Sequence, residues 1–149
     1  MLRLVFILFI GLSFLASAQS AEHSIKVAIP VILQLRIQDA VSADFSVPLE
    51  IQETDTGLEL SQSKTRLEVL ANTSWQLQVK VQAKDLPFRL RASSSQASVD
   101  LTAYPQVLAR GEATAGWQDL PIYYDLKNQS VLHGQKHYQI EVYYFLSQP

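Results

Sequence analysis

Period-2 alternation of apolar side chains governs this chain more than any other feature. From Ile25 to Ile37 every odd position is apolar (Ile25, Val27, Ile29, Val31, Leu33, Leu35, Ile37), while Lys26, Gln34, Arg36 and Gln38 take even ones. Successive side chains of a strand point to opposite faces, so such a run requires a core on one side and water on the other. The same period returns in Phe45, Val47, Leu49, Ile51, in Leu67, Val69, Ala71, and in Trp75, Leu77, Val79, Val81, Ala83. It returns again in Leu120, Ile122, Tyr124, Leu126, and a final run places Tyr138, Ile140, Val142, Tyr144 and Leu146 on one face. No window after the N-terminal segment shows a 3.6-residue period. The expectation is an all-β fold, an antiparallel immunoglobulin-like β-sandwich of about seven strands, with a small β-barrel as the alternative.

The breaks between the runs carry their own information. Pro30 and Pro48 lack an amide donor and belong at an edge, a bulge or a point where a strand changes partners. Gln52 to Gly57 reads as a turn. Asn72-Thr73-Ser74 separates two alternating runs as a hairpin or a kink in one long strand. Leu86, Phe88 and Leu90 make a further short run. Between Ala92 and Gly116 the alternation fails, which reads as a long loop of the functional or mobile kind, with Val99-Asp100-Leu101 and Gln106-Val107-Leu108 as short edge strands within it.

The first 18 residues stand apart. Arg3, an apolar stretch from Leu4 to Leu15, and Ala16-Ser17-Ala18 before Gln19 follow the secretory signal pattern. The stretch is shorter than the roughly 20 apolar residues of a membrane span. The expected organisation is a signal peptide at 1–18 and one domain at 19–149, exported to a periplasmic, cell-surface or extracellular location, with no membrane span after cleavage. Loss of Arg3 leaves 11 basic against 14 acidic residues, a net charge of −3. Without clustered Lys and Arg, nucleic-acid binding is not expected. There is no cysteine, which excludes disulfide stapling, thiol catalysis and thiolate metal sites and leaves stability to burial and the strand ladders.

Candidate chemistry is sparse. His133 and His137 would align on a helix, but four residues along a strand are about 13 Å apart, too far for one ion, so no metal and no cofactor is expected. His23, Asp39, Asp44, Asp100, Asp119 and Asp125 are scattered, and no nucleophile elbow, zincin helix or phosphate loop occurs. The chain reads as non-enzymatic. Asn72-Thr73-Ser74 and Asn128-Gln129-Ser130 fit the glycosylation sequon, although an Asn at a strand end also serves as a turn cap. Trp75 and Trp117 lie in phase with aliphatic neighbours and are expected in the core. Tyr123, Tyr143 and Phe145 occupy the opposite phase to Tyr124, Tyr144 and Leu146. The last strand is therefore apolar on both faces near its tip, and these three residues are the candidate partner contacts.

The signal pattern, the opening "IKVAIPVILQLRI", the central "VLANTSWQLQVKVQ" and the closing "GQKHYQIEVYYFL" together resemble the secreted pilin and spore coat protein U class of bacterial β-sandwich subunits. The resemblance implies a structural or adhesive role, with donor-strand exchange as a mechanism. Gly134 and Tyr144 are the nearest matches to the glycine that opens the last strand of such subunits and the tyrosine near its end, and so are the candidate strand-assembly positions. The last strand can equally complete its own sheet. The function expected is that of an exported structural or adhesive module, fimbria- or surface-matrix-associated. It would act through a protein partner or self-association, with carbohydrate binding by exposed aromatics as the alternative.

Overall fold

The computed structural model describes residues 26–38, 45–83, 86–127 and 137–149. Ten strands occur among them, and no helix: β1 (Leu33–Ile37), β2 (Ser46–Thr54), β3 (Gly57–Leu60), β4 (Lys64–Ala71), β5 (Trp75–Val81), β6 (Arg89–Ser93), β7 (Ser98–Asp100), β8 (Gln106–Gly111), β9 (Gln118–Lys127) and β10 (His137–Ser147). They form two five-stranded sheets, ordered β1-β4-β9-β6-β7 and β3-β2-β10-β5-β8, with every pairing antiparallel. The sheets pack together and one curls into a half-barrel. The all-β, two-sheet reading holds; the count is ten strands rather than about seven.

Alternation decides which face each strand buries. In β5, Trp75, Leu77, Val79 and Val81 are buried while Gln76, Gln78 and Lys80 are not. In β9, Leu120, Ile122, Tyr124 and Leu126 are buried, and in β4 Thr65, Leu67, Val69 and Ala71. Fully buried Leu, Ile and Val side chains each contribute about 1.5–3 kcal/mol over an exposed position. These inner faces meet as one continuous core.

Several boundaries differ from the alternation. β1 begins at Leu33, because Ile32 and Leu33 lie opposite Asn72 and Ala71 and the chain leaves the sheet at Asn72, so earlier residues have no ladder to join. Val27 and Ile29 are accordingly 75% and 76% exposed. Asn72-Thr73-Ser74 is neither a hairpin nor a kink in one strand: β4 belongs to the first sheet and β5 to the second, so the triplet carries the chain across the core. The Gln52–Gly57 turn is shorter than expected. β2 runs to Thr54, and β3 starts at Gly57, whose φ of 136° suits a residue without Cβ. The span from Ala92 to Gly116 is no long loop, since it holds the end of β6 together with β7 and β8. The last two are the edge strands expected there. Pro48 sits where β2 pairs with β10 alone, because β3 reaches only from Ile51 to Thr54 along β2.

Trp75 is 1% exposed, and its indole N–H donates to the Glu112 carbonyl at 3.0 Å. Its ring packs on the backbone of Gly111, where a Cβ would stand 2.5 Å from Trp75 Cζ2. Gly111→Ala is therefore expected to cost about 1–3 kcal/mol through overpacking. Gly116→Ala, whose Cβ meets nothing within 4 Å, provides the near-neutral comparison. Urea midpoints of the two variants check this, and equal midpoints would refute the packing argument.

Candidate functional site

β10 is the strand from which the candidate surface is built. It lies between β2 and β5 of its own chain: His137 to Tyr143 pair with Gln52 to Ser46, and Val142 to Ser147 pair with Val81 to Gln76. Ile140, Val142 and Tyr144 are buried, with Tyr138 and Leu146 packed against the core. The other parity, Glu141, Tyr143 and Phe145, therefore faces outward from the middle of the second sheet.

Phe145 is 40% exposed, and the Lys80 ammonium stands 5.1 Å from its ring centroid, within cation–π range. Lys80 is the direct cross-strand partner of Tyr143. The Tyr143 hydroxyl lies 2.6 Å from Glu141 Oε2, to which it donates, and 3.2 Å from Gln82 Oε1. Lys80, Val81, Gln82, Ala103, Tyr143 and Phe145 line an open groove of about 440 Å³. An aromatic floor flanked by the Lys80 cation and the Gln82 side-chain amide suits a polypeptide segment, which offers apolar side chains and main-chain groups together.

The remaining candidates fall elsewhere. Tyr123 is exposed on the outer face of β9, in the first sheet, with Lys64 Nζ 5.2 Å from its ring. It therefore does not share a surface with Tyr143 and Phe145. Trp117 corrects the expectation of a core position: it is 38% exposed, just before β9, and carries the Arg36 guanidinium 4.1 Å above its ring. The reason is local. β9 begins at Gln118, and its buried parity is the even one, which leaves Trp117 in the outward phase. Arg36 is held there by Glu68 at 3.3 Å.

Among the described residues no three His, Asp or Glu side chains converge. Asp100 pairs with Arg91 at 3.0 Å, Asp119 lies 3.7 Å from Arg66, and Asp125 points outward from β9. His137 is exposed at the start of β10. His23, Asp39, Asp44, Asn128, His133 and Gly134 lie outside the described residues. Asn72 ties the arm before β1 to the end of β4, since its Oδ1 accepts from the Ile32 amide at 2.8 Å and its Nδ2 donates to the Pro30 carbonyl at 2.7 Å. Among the described residues no helix is long and apolar enough to cross a membrane.

Tyr144, the candidate assembly position, is 1% exposed and reaches across the core. Its hydroxyl meets that of Tyr124, which in turn donates to Thr65 Oγ1 at 3.1 Å; Gln62 Nε2 donates to the same oxygen at 3.0 Å. Since the Tyr124 proton is used on Thr65, Tyr144 is the donor between the two phenols. Burial pushes the Tyr144 pKa well above the ordinary 10.0, and the repulsion of a second phenolate and donation to Tyr124 add to it. Burial raises Tyr124 as well, partly offset by its hydrogen bonds with Thr65 and Tyr144.

Comparison of the chain with protein-family models, with curated proteins and with solved structures finds no match.

The two raised phenols fix an alkaline limit. A folded-state pKa above the unfolded value gives stability that is complete below about pH 10 and drains away above it, by about 1.4 kcal/mol per pH unit for each such tyrosine. Tyr144→Phe removes one contribution, so its stability is expected to fall less steeply than that of the parent above pH 10. Urea unfolding on either side of that pH measures both slopes, and parallel slopes would show that Tyr144 ionises equally in both states.

Proposed function

We infer that the chain is a non-enzymatic exported β-sandwich module of immunoglobulin-like type that acts through protein contacts, as a structural or adhesive subunit of a surface or fimbria-like matrix. The observation that carries this reading is the outward face of β10. On a strand that is central to its sheet, Tyr143 and Phe145 keep aromatic surface in an open groove beside Lys80. Aromatic residues on an otherwise polar sheet face are what protein contacts draw on, because they supply large area with few rotors. The signal pattern at residues 1–18 supports export, and the resemblance to secreted pilin-like subunits supports assembly.

Removal of β10 does not test this reading, because it deletes the strand that joins β2 to β5. The contact is better tested by photo-crosslinking, with benzoylphenylalanine placed at Phe145 in one variant and at Asp125, on the opposite sheet, in another. A discrete protein adduct is expected from position 145 alone. Indistinguishable adduct patterns from the two positions would remove the groove as a contact surface.

A glycan-binding reading draws on Trp117, whose partly exposed ring lies in a row with Arg36 and Glu68, groups able to hydrogen-bond sugar hydroxyls. On that reading, glycan-array signal is lost in Trp117→Ala while the thermal midpoint stays near that of the parent. An array without signal for the parent protein would dismiss it.

A further inference from the structure

β1 is an edge strand. Among the described residues it pairs with β4 alone. The Asn72 amide donates to the Ile32 carbonyl at 3.1 Å, and the Gln38 amide to the Arg66 carbonyl at 2.9 Å. The even residues of β1 thus direct their main-chain groups toward β4. In an antiparallel ladder the alternate residues point theirs the other way, so Leu33, Leu35 and Ile37 present N–H and C=O at the outer edge. Carried back along the chain, the same parity assigns Val31, Ile29 and Val27 to that edge.

Pro30 fits this parity. It is even, its carbonyl accepts from the Asn72 side-chain amide, and its missing N–H would have pointed toward the β4 side. The proline therefore does not interrupt the outer edge. The odd side chains are apolar throughout: Leu33, Leu35 and Ile37 are half-buried against the core, while Val27, Ile29 and Val31 are 75%, 76% and 58% exposed.

The other long edge is treated differently. On β8, Ser94 Oγ donates to the Leu108 carbonyl at 2.7 Å, the Arg110 amide donates to Gln96 Oε1 at 2.8 Å, and Gln96 Nε2 donates to the Arg110 carbonyl at 2.7 Å. Side chains from the β6–β7 connection thus occupy the main-chain groups that an added strand would need, a recognised means of protecting an edge. β3 and β7, with four and three residues, are short edges.

We propose that two copies of this chain associate through β1 and the preceding arm, antiparallel about a two-fold axis at Ile32. An isologous edge contact requires odd residues to face odd residues. Centring it on Ile32 sets Val27 opposite Ile37, Ile29 opposite Leu35 and Val31 opposite Leu33, each arm covering the half-buried rim of the other core. On the outer face Lys26 meets Gln38, Ala28 meets Arg36 and Pro30 meets Gln34, so no like charges are opposed. Other registers forfeit part of this apolar match. The contact lies on the first sheet and is independent of the Tyr143–Phe145 groove.

Sedimentation of the chain freed of its first 18 residues, the form that export would yield, tests the proposal. A monomer–dimer equilibrium is expected. Ile29→Lys should weaken it by about tenfold or more, without changing the circular dichroism or thermal midpoint of the monomer, because Ile29 stands outside the core. Ala28→Pro should leave association intact, since that amide points away from the edge, whereas Ile29→Pro should abolish it. The chain has no cysteine, so Ile32→Cys introduces a lone thiol at the axis and should give a disulfide-linked dimer under mild oxidation, with Gln34→Cys giving far less. A protein that stays monomeric at its highest soluble concentration would overturn the proposal. So would a dimer unaffected by Ile29→Lys, or equal linkage through positions 32 and 34.

Discussion

The two-sided pairing of the last strand is the constraint on which the second sheet depends. β10 meets β2 along its first half and β5 along its second, and Val142 and Tyr143 are paired on both sides at once. β2 and β5 have no ladder with each other. The sheet is therefore complete only when the C-terminal residues arrive, and its pairings join segments far apart in sequence. Such topologies close loops before the contacts reward them and belong to the slower-folding class.

Within the core the two sheets are tied by the chain of hydroxyls from Tyr144 through Tyr124 to Thr65, beside the bonds of Ser94 and Gln96 to β8 at the rim. Apolar faces alone tolerate sliding, since burial is non-directional. A buried phenol does not, because a lost partner leaves a desolvated polar group. Among the described residues no buried side-chain nitrogen or oxygen lacks a partner. The tie spans β10 in one sheet and β9 and β4 in the other.

Much of the fold was legible in the sequence because period 2 encodes facing directly. It separated Tyr144 from Tyr143 and Leu146 from Phe145, and so located both the core and the outward aromatic pair of the candidate site. What it could not encode was partnership. Whether the run from Ile25 ends up as a strand of five residues depends on where β4 leaves the sheet at Asn72, a fact written in other residues 40 positions away. The Lys80 side of the groove was hidden for the same reason, since its nearness to Phe145 follows from the register of β5 against β10. Trp117 was misplaced because it was grouped with Leu120, Ile122, Tyr124 and Leu126, although three residues before Leu120 is the opposite phase of a strand. The segment after Ala92 looked irregular because β7 is three residues long and β8 carries a register shift opposite Leu77 and Gln78.

The absence of cysteine extends further than the missing disulfide. Met1 is the single methionine, so the domain beyond the first residue contains no sulfur. Its stability has no term that depends on the thiol–disulfide potential of its surroundings, and oxidants that convert thiols or thioethers find no such group in it. The fold is redox-blind: it can be made in a reducing compartment and used in an oxidising one without a change of covalent structure. Its pH sensitivity lies instead at the alkaline end, where Tyr124 and Tyr144, held protonated by burial in the core, ionise more readily once the chain unfolds.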